Sequence, residues 1–324
     1  MKFKNLLPWI SAFFMIVLLV APMTAKAGNF KLGIVVTAMS SETHARTVHA
    51  AEDAAKKLGW EVTILDSQAN VQKMVSNLEN LAQAKVNAIL VCMGKPVETD
   101  SALATVAKAG IPMISIMSGT SPYILFDITV NEYEVGAQAA LYLLGQLNYR
   151  GNILTQRYES HVGTRIRGKL LDVVLSENRA VKVIGSHTMA KTKSWREDVR
   201  KGMEAILLQK QGKFQGIWAS FDAQAFIIDD LLQEQGYKKE GDIVMVSIDG
   251  GQETFRRIRD PKSLLTASVF IPFEKMGKTS VALMDKIVNQ GVKKERLVTG
   301  PYLFENALLI DKHNVPAKGQ WPQQ

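Results

Sequence analysis

The chain of 324 residues has one cysteine, Cys92, so no intramolecular disulfide can form. Its stability must come from core burial, which a chain of this length can supply. Cys92 closes the apolar run Ala88-Ile89-Leu90-Val91 with no base candidate beside it, and reads as a small buried hydrophobe rather than a catalytic thiol. The five histidines are scattered. His44 and His49 lack i,i+4 spacing and have no carboxylate cluster beside them, which argues against a metal centre. G-x-S-x-G, P-loop, H-E-x-x-H and G-x-G-x-x-G motifs are all missing, and no spaced carboxylate pair stands out, so no enzyme class is indicated and no cofactor is implied. No long Lys/Arg run occurs; Lys293-Lys294-Glu295-Arg296 reads as a solvated helix end, against a nucleic-acid partner. Repeats, low-complexity tracts and a Pro-rich linker are also absent.

What is present begins with a compartment signal. Lys2 and Lys4 form a positive n-region, Ile10 to Val20 an apolar h-region, and Ala25-Lys26-Ala27 an A-x-A cleavage site. The apolar run is shorter than the ~20 residues a spanning helix needs, and Pro22 breaks it. The expectation is a signal peptide over 1–27, cleaved after Ala27, and a soluble exported chain whose formal charge falls from +8 to +5 without Lys2, Lys4 and Lys26. A hydrophobic fraction of 47% with 22% charged residues is that of a globular protein, and the length suits two domains.

From Lys31 onward, buried-strand patterns alternate with helical ones. Strands read at Leu32–Val36, Val62–Leu65, Ala88–Val91 and Met113–Ile116, separated by helical patterns at 43–58, 70–84 and 99–109. After a helix-free stretch at 117–131 the alternation resumes, with helices at 133–147, 161–177, 195–210, 223–235 and 251–259. The strands between them are Asn152–Thr155, Val181–Ser186, Gly216–Ala219 and Ile243–Ser247. Leu264–Phe270 precedes a helix after Pro272, and short strands close the chain near Tyr302–Leu303 and Leu308–Ile310. Continuous apolar strands belong to parallel sheets covered on both faces. Their number predicts two doubly wound α/β lobes, with an eight-fold barrel as the alternative, and a crevice at the carboxyl ends of the strands.

Several motifs carry a family likeness: Leu58-Gly59-Trp60, Leu65-Asp66-Ser67-Gln68-Ala69-Asn70, Ala109-Gly110-Ile111-Pro112, Arg165-Ile166-Arg167-Gly168 and Ser247-Ile248-Asp249-Gly250. In this order the chain resembles the ribose-type periplasmic sugar-binding proteins and the LacI-type effector domains of the same fold. The resemblance implies lobes joined by three crossings, near 129–132, 268–271 and 298–301. That gives an N-terminal lobe of 28–130 plus 271–298 and a C-terminal lobe of 131–270 plus 299–324.

The resemblance also implies site residues. Arg165 matches the arginine that opens the R-x-R-G segment, a planar fork suited to vicinal hydroxyls or a carboxylate, whereas Arg167 reads as structural or surface. Asp249 holds the position that accepts hydrogen bonds from ligand hydroxyls or amines, unless it caps the following helix. The first loop offers Ser40, Ser41 and His44 where sugar binders place Asn and aromatics; Ser41 is equally a helix cap. Trp195 stands beside a ring-stacking position, and Asn131 at a polar position past the first hinge. Three polar anchors are altered. Met117-Ser118 replaces an Asp-Arg pair, Phe221 replaces the Asn ahead of Asp222, and Phe270 replaces a Gln. A buried sugar forfeits about 1–3 kcal/mol for each unmade hydrogen bond, so ribose itself is disfavoured. The implied function is monomeric, non-enzymatic capture of a small carbohydrate-like or polyol ligand in the periplasm, for delivery to a membrane ABC permease. The same closure read by a chemoreceptor or histidine kinase is the alternative.

Overall fold

The computed structural model describes residues 30–190, 193–238 and 243–323; the expected signal peptide lies outside them. The first half runs β1 (Lys31–Val36), α1 (Glu42–Lys57), β2 (Glu61–Asp66), α2 (Val71–Gln83), β3 (Ala88–Cys92), α3 (Asp100–Lys108), β4 (Met113–Ile116) and β5 (Asp127–Thr129). The second runs α4 (Glu132–Gln146), β6 (Gly151–Arg157), α5 (Val162–Glu177), β7 (Val181–Thr188), α6 (Trp195–Gln209), β8 (Gly216–Ala219), α7 (Asp222–Glu234), β9 (Val244–Asp249), α8 (Gln252–Arg259) and β10 (Leu265–Phe270). The chain closes with α9 (Phe273–Val288), β11 (Tyr302–Phe304) and β12 (Leu308–Asp311).

The strands form two separate six-stranded sheets, ordered β11-β5-β4-β3-β1-β2 and β12-β10-β9-β8-β6-β7. Both follow one topology, in which the first strand of each half pairs with the second on one side and the third on the other. The first sheet is wholly parallel; in the second only β12 runs antiparallel, against β10. The barrel alternative is therefore excluded. Each sheet has its strand-order switch beside its first strand, where a crevice opens at the carboxyl ends.

The stretch 117–131 is helix-free as expected and contains β5, a three-residue strand whose partners β4 and β11 come from either side of it in sequence. One expectation needs correction. β11 belongs to the first sheet, so the last crossing falls between Phe304 and Leu308 rather than at 298–301. The other two follow β5 and β10, since α4 packs on β8 and β9 whereas α9 packs on α1 and β4.

Local chemistry explains the elements. α1 buries Thr47, Val48, Ala51 and Ala55 on one face, with Glu42 in its first turn and Lys56 and Lys57 in its last, matching the helix dipole. Asn70 caps α2 by accepting from Lys73 N at 2.9 Å. α1 packs closely on α9, and Gly277 permits it: a Cβ there would strike the Thr47 carbonyl and come within 3.1 Å of Ala51 N. Cys92 is fully buried, and burial with nearby Asp127 pushes its thiol up to about 12.

Candidate functional site

Loops at the carboxyl ends of the strands face one another across the lobes. In the first lobe His44 sits in the opening turn of α1, its Nδ1 3.0 Å from the Ala38 carbonyl. A carbonyl only accepts, so Nδ1 carries the proton and Nε2 is the bare acceptor of the neutral ring. Burial, reinforced by His161 of the second lobe, lowers the His44 pKa to about 4. His161 precedes α5, and burial with Arg167, Lys95 and Arg165 nearby lowers it to about 4 as well, against Glu132. Lys95, in the loop after β3, bonds Glu98 at 2.8 Å and also acts electrostatically on Tyr158, in the loop after β6. Desolvation raises the Tyr158 pKa, and Lys95 offsets part of that rise. Two histidines, a lysine and a phenol thus meet across the crevice.

The second lobe carries a buried charge network. Arg167 grips Glu132 through Nε at 2.6 Å and Nη2 at 3.0 Å, and donates from Nη1 to Asp249 Oδ1 and the Ser220 carbonyl, both at 3.1 Å. Burial alone would lower its pKa, but Glu132 and Asp249 outweigh that and hold it above the ordinary arginine value. Burial pushes Asp249 up to about 7, opposed by Arg167. Asp249 has φ +131°, a strained backbone for a non-glycine residue, at the end of β9. Its Oδ2 takes no hydrogen bond from the described residues.

Near the second crossing, Arg46 of α1 pairs with Glu274 at 2.6 and 3.1 Å and reaches across to the Gly250 carbonyl at 2.5 Å. Its guanidinium lies 5.1 Å from the ring of Trp321, whose tail segment is held by Gln252 through Gly319 N and the Gln320 carbonyl. Gly250, at φ +68°, has no room for a side chain, because a Cβ would come within 2.5–2.8 Å of Phe270.

The expected site residues divide sharply. His44 and Asp249 stand in the crevice, as do Arg165, half-buried with Nη1 donating to the Glu159 carbonyl at 2.7 Å, and the rings of Trp195 and Phe221. Ser40 is exposed beside them; Ser41 occupies the N-cap of α1, its Oγ 3.2 Å from Thr43 Oγ1. Four others are engaged internally. Asp222 is buried and accepts from Ser247 Oγ, Thr254 Oγ1, Ser268 Oγ and Gly250 N at 2.5–2.7 Å, leaving nothing for a ligand. Ser118 Oγ accepts from Gly94 N and sits 2.9 and 3.0 Å from the Ile116 and Val91 carbonyls. Asn131 caps α4, accepting from Tyr133 N and Glu134 N. Phe270 is 3% exposed, with its ring against Phe255 and Trp321, and so belongs to the core.

Sequence reasoning missed Lys95, Tyr158 and His161; Arg167, read as structural or surface, proves structural, buried against Glu132 and Asp249. All three missed residues follow β3 or β6, whose carboxyl ends were legible as crevice edges, so extending the search to every such loop would have found them. Among the described residues no cluster of three His, Cys, Asp or Glu could hold a metal, and no helix is long and apolar enough to cross a membrane. A groove of about 510 Å³ between the C-terminal halves of α1 and α9 is lined by Lys57, Lys278, Lys286, Asp53 and Asp285, away from these strand ends.

The profile of the periplasmic binding protein domain matches residues 32–293. The ribose import binding protein RbsB of Bacillus subtilis (strain 168) is 24% identical over 294 residues, spanning 88% of this chain and 92% of its own length. An ABC sugar transporter subunit from Rhodobacter sphaeroides 2.4.1 superposes with a TM-score of 0.74 at 25% identity, over 88% of this chain and 98% of that one. An ABC transporter solute binding protein from Agrobacterium vitis with bound allitol gives 0.76 at 23% identity, over 89% and 97%. With two parallel-dominated lobes joined by three crossings and polar loops meeting between them, this chain belongs to the periplasmic binding protein domain family.

Proposed function

We propose that this chain is a periplasmic solute-binding protein that captures a small carbohydrate-like or polyol ligand between its lobes and delivers it to a membrane ABC permease. The observation that carries the reading is Asp249: a strained carboxylate at the end of β9 with one oxygen fixed by Arg167 and the other without a hydrogen bond from the described residues. A hydroxylated ligand supplies the missing donor, and His44 Nε2 accepts a second from the opposite lobe. Arg165 and Lys95 supply donors at the rim. Closure buries these groups and gives the permease a surface that the open form lacks. The chain acts as a monomer, performs no covalent chemistry, and is exported by a signal peptide over 1–27.

Thermal-shift screening of the purified chain with sugars and polyols tests the reading. A ligand at 100 times its Kd adds about 2.7 kcal/mol of stability. Asp249→Asn removes that shift; a shift unchanged in both Asp249→Asn and His44→Ala refutes the site. Deletion of the protein abolishes uptake of the identified ligand. Uptake intact with a lost transcriptional or swimming response would assign the closure to a receptor or histidine kinase instead.

A further inference from the structure

The crevice is chemically lopsided. Tyr158, Phe221 and Trp195 follow β6, β8 and β7, which are neighbours in the second sheet. The Phe221 ring lies 6.2 Å from Tyr158 and 5.8 Å from Trp195, edge to face in both pairs, so the three make one half-buried aromatic wall. In the first sheet β1 and β4 are followed by the half-buried Met39 and Met117, the latter's Sδ 3.2 Å from Thr129 Oγ1, whereas Met93 after β3 belongs to the core. Met117 holds a positive φ angle of +51°, strain of the kind found at ligand clamps. Thioether and ring edges suit one another and suit a flat or aliphatic group between them.

Beside the rim groups Lys95, Arg165, His161 and the Tyr158 hydroxyl, the acceptors that face a ligand are Asp249 Oδ2 and His44 Nε2, one from each lobe. The carboxylate of Asp222 and the hydroxyl of Ser118, which stand at positions where a sugar binder places polar anchors, are consumed inside the protein. A bare sugar or polyol would press unmatched hydroxyls against rings and thioethers, each costing about tenfold in affinity.

Building on the capture role proposed above, we infer that the ligand is a sugar joined to an apolar flank, of the nucleoside or alkylthio-sugar type, rather than a bare pentose, hexose or polyol. Its hydroxyls face Asp249 and His44, and its flank packs on the aromatic wall, with Met39 and Met117 opposite. Phe221 determines this specificity. It occupies the N-cap of α7 with extended backbone, a position that asparagine fills readily.

Titration calorimetry on the full chain with ribose, ribitol, adenosine, uridine and 5-methylthioribose tests the inference. At least one flanked sugar binds about tenfold or more tightly than ribose and ribitol. The planar and thioether arms show which flank is used. Phe221→Asn narrows that gap by weakening the flanked ligand alone, and Trp195→Ala does the same at a helix start should the first variant fold poorly. Ribose or ribitol binding as tightly as every flanked sugar, with Asp249→Asn abolishing it, overturns this inference and leaves the capture role standing. Binding of no hydroxylated compound overturns both.

Discussion

Arg167→Met removes the one cation that holds two buried carboxylates while keeping most of the side-chain volume. The guanidinium makes four hydrogen bonds, to Glu132, Asp249 and the Ser220 carbonyl, with its side chain 4% exposed. Breaking a buried pair by deleting one partner costs about 3–5 kcal/mol, because the remaining charge is stranded. For lobes of this size that lowers Tm by roughly 10 °C. The pH dependence gives a second handle. Burial already raises Asp249 to about 7, so its contribution is fully present below its unfolded value near 3.8 and is lost as pH rises through 7. Without Arg167 the carboxyl moves further up, and the variant loses more stability than the parent between pH 5 and pH 8. Urea unfolding at both pH values measures it, and Glu132→Gln in the same background recovers part of the loss. A loss under about 1 kcal/mol with an unchanged pH slope would refute the network as the organiser of the site.

Asp222→Ala strands four donors around the former carboxylate and costs about 3 kcal/mol or more in denaturant unfolding, while ligand affinity of the folded protein stays within about twofold; a selective loss of affinity would return Asp222 to the ligand. His44 and His161 both titrate near 4 in the folded state, so the stability they confer is present above their unfolded value of 6.5 and is lost as pH falls toward 4. Thermal melts from pH 7 to 4 follow that loss, and His44→Gln with His161→Asn flattens the slope. Gly277→Ala forces α9 off the Thr47 carbonyl and lowers Tm, whereas Gly145→Ala, with open space at its Cβ, leaves it unchanged or higher.

Most elements were legible because each strand is a continuous apolar run and each helix carries its own periodicity and stop. Sheet membership was not. β5 and β11 are three residues each, and although a strand reads near Tyr302–Leu303, pairing with distant strands decides its sheet, so no local pattern reveals which lobe they join. The site followed the same division. Asp249 and His44 stood out in sequence as polar residues at and beyond the carboxyl ends of buried strands, and the structure puts them at the end of β9 and in the first turn of α1. Arg165 was read toward the ligand and Arg167 as structural or surface; of those two alternatives the structure gives the structural one, and two residues so spaced on a helix differ by about 200° in direction. Packing of α5 against α4 decides which one meets Glu132. Asp222 reads like Asp249 in sequence, but four donors from β9, the turn after it, α8 and β10, all 25 or more residues further along the chain, turn it inward.

The late crossing after Phe304 has a consequence for biogenesis. The first lobe needs α9 over α1 and β11 at its sheet edge, and these come from residues 273–288 and 302–304. Synthesis proceeds from the N-terminus, so that lobe stays incomplete until nearly the whole chain has emerged. Contacts of such long sequence separation also form slowly. A chain built this way remains threadable through a translocon for most of its synthesis, and no single proteolytic cut can release either lobe intact.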